Sequence, residues 1–343
     1  MTWKARETGE KEHEFKGERP VEDTFGRRIN YLRVSVTDRC NLRCRYCMPE
    51  EGVPLKNHDD ILRLEEIVRL VQAALQVGIK RIRLTGGEPL VRKNLVSLVR
   101  ELASLPGLEE ISLTTNGQLL ESLALPLKEA GLKRVNISLD TLQPDRYSFI
   151  TRGGSIEAVW RGIRAALAAG LVPVKLNVVV VRGFNEDEIL DFASLALREP
   201  LHVRFIELMP IGTAAGEYFG YVPLQEIWKR LAANFKLEPM LDLPGNGPAR
   251  SFRVAGGPGS VGFIGALSEH FCSRCNRLRL TADGKLRPCL YWQAEVDMKT
   301  PLRSGASVTE LARLFQQAVC LKPWGHRLEA GWNEGSFMCQ LGG

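Results

Sequence analysis

The stretch from Ser155 to Glu207, SIEAVWRGIRAALAAGLVPVKLNVVVVRGFNEDEILDFASLALREPLHVRFIE, decides the fold. Residues 155–169 read as a helix closed by Gly170, and the β-branched run Val174 to Val181 reads as a strand. A second helix over 186–198 and a second strand over 202–207 repeat the unit. The same rhythm extends toward the N-terminus. An apolar run at 31–36 precedes a cysteine loop, and an amphipathic helix from Arg63 to Val77 ends at Gly78. Then follow a strand from Arg81 to Leu84, a helix over 94–104, a strand over 110–114, a helix over 119–130 closed by Gly131, and a strand over 134–139. Six strand–helix alternations imply parallel strands joined by right-handed crossovers. Short apolar strands between helices suit a sheet buried on both faces. Six units are too few to close an eight-stranded barrel. The expected fold is therefore α/β, a partial (β/α)6 TIM-like barrel with functional loops at the carboxyl ends of its strands.

The alternation stops near residue 210, and Pro and Gly crowd 244–260. Two strand-like runs flank Ala282-Asp283-Gly284, a hairpin turn, and one helix is expected around 307–319 before the terminal Gly342-Gly343. These features predict a C-terminal extension with a small antiparallel β element. The expected division is a mobile charged arm over 1–26, the barrel over 27–243 and the extension over 244–343.

At 343 residues, 44% hydrophobic and 25% charged, the chain has enough apolar content to bury a sizeable core. The net charge of +6 does not by itself argue for nucleic acid, but it suits an anionic small molecule if the cations converge. No apolar run is long enough to span a bilayer, and the start lacks a secretory signal, so no membrane partner and a cytoplasmic location are expected. Cytosolic thiols stay reduced. The eight cysteines, six of them in two tight groups, therefore point to metal or redox chemistry rather than a disulfide framework.

Cys40, Cys44 and Cys47 form C-x3-C-x2-C in TDRCNLRCRYCMP, just after the first strand. Three thiolates on a four-iron cube leave one iron without a protein ligand, where a cofactor or substrate can bind. Structural zinc wants four closed ligands and would have to borrow one from elsewhere. With an aromatic residue before the last cysteine, this run resembles the signature of radical S-adenosylmethionine (SAM) enzymes. The resemblance implies a [4Fe-4S] cluster whose open iron chelates the methionine part of SAM. It also implies that Tyr46, Gly87 of the Gly86-Gly87-Glu88-Pro89 turn, Ser138 and Met209 contact that cofactor. In bare sequence these are an ordinary turn, a loop hydroxyl and a core methionine.

Cys272, Cys275 and Cys289 form C-x2-C-x13-C, with the last two flanking the expected hairpin. Spacing alone leaves zinc and iron–sulfur readings equal, with His270, Cys320 and Cys339 as candidates for a fourth zinc ligand. The first cluster favours iron for the second. The stretch FCSRCNRLRLTADGKLRPCL, with RLTGGEPLVR, LTTNG, NISLDTL, KLNVVVVRGFNEDEI, FIELMPIG and the Gly-Gly tail, resembles the GTP 3′,8-cyclase family, the molybdenum cofactor biosynthesis protein A family. The match runs from about residue 25 to the last residue.

That resemblance implies two [4Fe-4S] clusters, the second with its open iron on the guanine ring. It implies that Arg33, Arg83, Thr114, Lys175, Arg277 and Arg279 hold GTP, and that Gly342 and Gly343 reach the active site beside the arginines. Individually these charges are more often surface groups. As a set they suit a triphosphate, which needs fixed cations and forked donors. Arg277 and Arg279 alternate on one strand and share a face. The implied reaction is a lyase-type radical cyclisation: a deoxyadenosyl radical takes hydrogen from C3′ of GTP, C3′ attacks C8, and an electron and a proton quench the resulting aminyl radical. The product is 3′,8-cyclo-7,8-dihydroguanosine triphosphate, in the first step of molybdenum cofactor biosynthesis. Partners implied by analogy are a reducing electron donor, the next enzyme, which forms cyclic pyranopterin monophosphate, and a second copy in a homodimer. The run ITRGGSIEAV departs from the family's pattern, so Arg152 receives no role. Competing readings are a radical SAM modifier of peptides, or a non-catalytic zinc or RNA-binding module.

Overall fold

In this computed structural model the described residues are 21–212, 220–240, 247–326 and 337–341. Six strands alternate with helices: β1 Tyr31–Ser35, β2 Arg81–Thr85, β3 Glu110–Thr115, β4 Arg134–Ser138, β5 Val174–Arg182 and β6 Leu201–Glu207. Each pairs with the next in parallel. The intervening helices are α1 Leu64–Gln76, α2 Leu95–Ala103, α3 Leu120–Glu129, α4 Pro144–Thr151, α5 Ile156–Ala168 and α6 Ile189–Arg198. The strands are buried nearly throughout, with apolar residues alternating with buried polar ones such as Arg33, Arg83, Asn136, Lys175 and Arg204. Helices such as α1 turn one stripe inward, burying Ile67, Val68, Leu70, Val71 and Ala74. The predicted six units are all present. The extra helix α4 was not legible, since Pro144–Thr151 carries only a weak apolar stripe.

Beyond β6 come β7 Gly220–Tyr221, α7 Leu224–Asn234, β8 Leu237–Met240, β9 Arg250–Val254 and β10 Ser260–Ile264. After them lie β11 Arg277–Leu280, β12 Lys285–Arg287, β13 Val296–Asp297, α8 Lys299–Arg303 and α9 Val308–Cys320. The predicted hairpin is β11–β12, turning at Gly284 with φ +82°. The extension does not form a sheet of its own. β10 adds in parallel to the outer edge of β6, and β11 adds in parallel to β1 at the other edge. The resulting order is β13-β12-β11-β1-β2-β3-β4-β5-β6-β10-β9-β8, an open sheet continuous across residue 243.

Residues 1–20 of the expected arm lie outside the described residues. The rest of that arm is tied down, contrary to expectation. The Val21 N–H donates to Val77 O at 3.0 Å, Glu22 bridges Arg28, and buried Asp23 pairs with Arg27 at 2.6 Å. A run dominated by charge hid these few anchoring contacts.

Candidate functional site

The cysteine loop leaves β1 at its carboxyl end and lies against two neighbours. The Gly86-Gly87-Glu88 turn after β2 is one: Gly87 N donates to Thr37 O at 2.9 Å and Glu88 N to Arg39 O at 2.8 Å. A methyl group at Gly87 would sit 2.3 Å from Arg39 O, so only glycine fits there. The end of α4 is the other. Arg43 N and Arg45 N donate to Thr151 O and Ile150 O, and Arg152 Nη1 donates to Arg43 O at 2.9 Å and Met48 O at 3.1 Å. Arg152, unassigned from the sequence, thus clamps the loop from an αL position at φ 54°.

One cavity of about 350 Å³ opens over the strand ends, and all six cysteines of the two trios line it. Tyr46, Gly87, Ser138, Met209, Arg33, Arg83, Thr114, Arg277 and Arg279 line it too. Two trios more than two hundred residues apart in sequence therefore face one space. They meet because β11 pairs with β1, setting Arg277 opposite Tyr31 and Arg279 opposite Arg33. Lys175 does not line the cavity. It is buried on β5 behind the wall, where burial, then Arg204, Arg134 and Arg83, hold its amine down to about 6. Gly342 and Gly343 lie outside the described residues. Leu341 just before them is buried, and its carbonyl is 3.4 Å from Arg279 Nη1.

The electrostatics of the cavity floor follow from strand register. Arg279, Arg33 and Arg83 stand opposite one another on β11, β1 and β2. Strand spacing is roughly 4.8 Å, and like charges placed so are destabilising. Burial, then Arg279 and Arg83, hold the Arg33 guanidinium well below its usual range. Arg279 is held down to about 10 by burial and by Arg277. Arg204 on β6 joins them, held down to about 9 by burial, Arg83 and Arg134. Its Nη2 donates to Asn136 Oδ1 and Asn177 Oδ1, while its buried Nε has no partner. Buried cations packed this closely repel one another, and an anion entering the cavity would relieve that repulsion.

The first trio fits an iron–sulfur cluster by its donor chemistry. Its three thiols are free of disulfides and lie on one short loop. Leu42 N donates to Cys40 Sγ at 3.4 Å, and Asn116 Nδ2 is 4.0 Å from it. Burial pushes the Cys40 thiol up to about 11 and Cys44 higher still; a bound metal ion favours the thiolate form. Beside them the Tyr46 hydroxyl donates to Asp140 Oδ2 at 2.6 Å, with the Asp140 carboxyl pushed up to about 6 by burial. Glu88 accepts from Thr115 Oγ1, Asn116 N and Leu90 N, buckling the glycine turn to the end of β3.

The second trio sits in a basic frame. Burial pulls the Cys275 thiol up, but Arg277 and Lys322 outweigh it and hold the thiol down to about 6. Lys322 Nζ donates to Arg277 O at 2.8 Å and Pro288 O at 2.6 Å, stapling the hairpin from behind. Arg27 Nη1 donates to Cys272 O at 2.7 Å. Of the candidate fourth zinc ligands, Cys320 is exposed at the end of α9 and Cys339 is buried against Cys47 of the first trio. His270 lies beside Cys272 with His326. Sequence reasoning missed Arg204, Lys322 and Arg27. Each is one basic residue in an ordinary run, and only tertiary pairing gives it a place.

Residues 34–196 match the Radical SAM superfamily model, and residues 201–328 match Molybdenum Cofactor Synthesis C. The chain is 69% identical over 323 residues to the GTP 3′,8-cyclase of Moorella thermoacetica, covering 94% of this chain and 100% of that one. It is 57% identical over 325 residues to the GTP 3′,8-cyclase of Pelotomaculum thermopropionicum, again covering 94% and 100%. Among solved structures it resembles Streptococcus suis SuiB bound to S-adenosylmethionine at a TM-score of 0.55 and 13% identity. That alignment covers 78% of this chain and 63% of the other, and at this identity it speaks to the fold alone. No helix among the described residues is long and apolar enough to cross a membrane.

Proposed function

The chain belongs to the GTP 3′,8-cyclase family of radical SAM enzymes, and we propose that the cavity shared by its two cysteine trios is where GTP is cyclised. The enzyme converts GTP to 3′,8-cyclo-7,8-dihydroguanosine 5′-triphosphate, the first step of molybdenum cofactor biosynthesis. The observation that carries the assignment of the site is the row of buried arginines on β11, β1 and β2 under both trios.

Cys40, Cys44 and Cys47 hold the [4Fe-4S] cluster, and Tyr46, Gly87, Ser138 and Met209 hold SAM beside it. When bound, the two supply a deoxyadenosyl radical able to take the C3′ hydrogen. Cys272, Cys275 and Cys289 hold a second [4Fe-4S] cluster that anchors the guanine end. Arg33, Arg83, Thr114, Arg277 and Arg279, with Arg204 added, hold the triphosphate, and Lys175, largely neutral in the free protein, takes up a proton behind them when the triphosphate binds. Gly342 and Gly343 are assigned to act with the same arginines, a reading supported by the Leu341 carbonyl 3.4 Å from Arg279 Nη1. Gripping one molecule at base and phosphates holds C3′ close to C8, and such orientation lowers the barrier to bond formation. The Asp140–Tyr46 bond sets the tyrosine ring, and Glu88 keeps the glycine turn against the cysteine loop. A reducing electron donor, a downstream enzyme that makes cyclic pyranopterin monophosphate, and self-association complete the reading.

The test is an anaerobic assay of reconstituted protein with SAM, with and without GTP. Deoxyadenosine formation is expected to depend on GTP, with a cyclised product isomeric with GTP, because the hydrogen atom lost from C3′ is replaced by one electron and one proton at the base. Deoxyadenosine release stimulated by a peptide and not by GTP would sink the assignment.

A further inference from the structure

We infer that His270, Cys272 and His326 form a binding site for one divalent transition-metal ion of the zinc class, filled when Cys272 is not committed to a cluster. The inference deepens the proposed reading of the second trio, on which only its mutual exclusion with that cluster rests. One ligand atom from each of the three residues lies within 4.8 Å of the others. A tetrahedral zinc ion, with bonds of about 2.3 Å to sulfur and about 2.0 Å to nitrogen, brings its ligand atoms to roughly 3.5 Å apart. Closing that difference takes a small side-chain rotation, and His270 is exposed and able to make it.

The imidazoles are already arranged as a pair, with ring centroids 4.5 Å apart and planes at 39°. His326 Nε2 lies 2.5 Å from Ala266 O. A proton on that nitrogen puts the ring lone pair on Nδ1. A backbone carbonyl fixing the tautomer of a histidine is the usual support of a metal ligand. Cys272 is held from its other side, its carbonyl accepting from Arg27 at 2.7 Å. One thiolate and two imidazoles with a fourth position open suit Zn2+ over the hard oxygen-seeking cations. Cys275 and Cys289 are not part of this set, although they face the same cavity. A single ion at Cys272 withdraws that sulfur from the trio, so zinc and the second cluster exclude each other while the first trio is untouched.

The test uses the full chain, freed of clusters by chelator under anaerobic conditions, with Cys40, Cys44 and Cys47 replaced by Ser so that only the second corner offers thiolates. Co2+ is the optical probe, with displacement by Zn2+. One Co2+ should bind with tetrahedral ligand-field bands and a thiolate charge-transfer band. His270→Ala, the gentlest change because that ring is exposed, should weaken it at least tenfold, as should His326→Ala. Cys275→Ser and Cys289→Ser should leave it within twofold. Loss with Cys275→Ser, or persistence in the double histidine variant, overturns the site and puts the ion in the trio. In otherwise unaltered protein, one equivalent of Zn2+ should cut reconstituted iron and sulfide from two clusters to one, and the double histidine variant should resist. Equal sensitivity of that variant also overturns it. Zinc-free wild-type protein that takes up only one cluster would instead sink the reading of the second trio, leaving the cobalt result to stand or fall alone.

Discussion

At the scale of the residue, the proposed binding role of the cavity floor carries a cost in stability. Arg33 lies between Arg279 and Arg83 in register, and all three repel one another before any anion arrives. Replacing Arg33 by Met keeps most of the volume and removes one of the charges. Arg33→Met is expected to hold or raise the melting temperature of the ligand-free protein while weakening GTP by ten- to a hundredfold. A charge-assisted contact is worth about 1.5–3 kcal/mol, and each 1.4 kcal/mol is roughly tenfold. Calorimetry and thermal melts of one preparation check both halves, and a variant that melts lower yet binds GTP normally would refute the trade.

Lys175 gives a pH signature with a definite sign. Burial and neighbouring guanidinium groups hold its amine down to about 6, so it is largely neutral at pH 7.5 in the free protein. A triphosphate nearby favours the charged form and raises that value. Binding above pH 6 therefore takes up a proton, and GTP affinity should rise as pH falls from 8 to 6 and flatten below. Titrations in buffers of different ionisation enthalpy count the proton. Lys175→Met should abolish the Lys175 share of the slope, and an unchanged slope would assign it to another group.

At the scale of the element, the first cysteine loop owes its shape to neighbours rather than to its own sequence. The Arg152 guanidinium is mostly buried and donates to two loop carbonyls, one on each side of Cys44 and Cys47. Arg152→Ala removes both bonds and should speed iron loss from the first cluster several-fold under chelator challenge, leaving second-cluster loss unchanged. Separate cluster signals in electron paramagnetic resonance distinguish the two. Gly87→Ala is the harsher companion: its new carbon meets the Arg39 carbonyl, and first-cluster occupancy should collapse. What was legible in the sequence divides along the same line. The six strand–helix units could be read because each is a local pattern, an apolar run and an amphipathic stripe punctuated by glycine. The cysteine trios could be read because loop spacing is local too. The parallel pairing of β11 with β1, and of β10 with β6, leaves no such trace: strand partners distant in sequence are chosen by tertiary packing. Arg152, Arg204 and Lys322 were invisible because each acts on groups of other elements, the first cysteine loop, β4 and β5, and the second-trio hairpin respectively.

At the scale of the whole molecule, the C-terminal third completes the barrel half rather than decorating it. Strand β10 covers the outer edge of β6 and brings Val261 and Phe263 into the core, where Phe263 packs on Phe205 with centroids 6.3 Å apart. At the opposite edge β11 covers β1 with Leu278 and Leu280 buried. Arg27 pins the N-terminal strap to the same region, donating to Cys272 O, Trp324 O and Pro323 O. A fragment ending at residue 208 would keep all six βα strands yet expose both edges of the parallel sheet and part of its core, a template for edge-to-edge association. That fragment should therefore aggregate, or melt without a sharp transition, despite containing the whole first-cluster loop. The full chain should unfold with barrel and extension losing structure together. Size-exclusion chromatography and thermal circular dichroism decide it: a monomeric fragment with a cooperative melt close to that of the intact protein would mean that the six-unit sheet stands alone, and that the shared strands serve only to bring the second trio to the cavity.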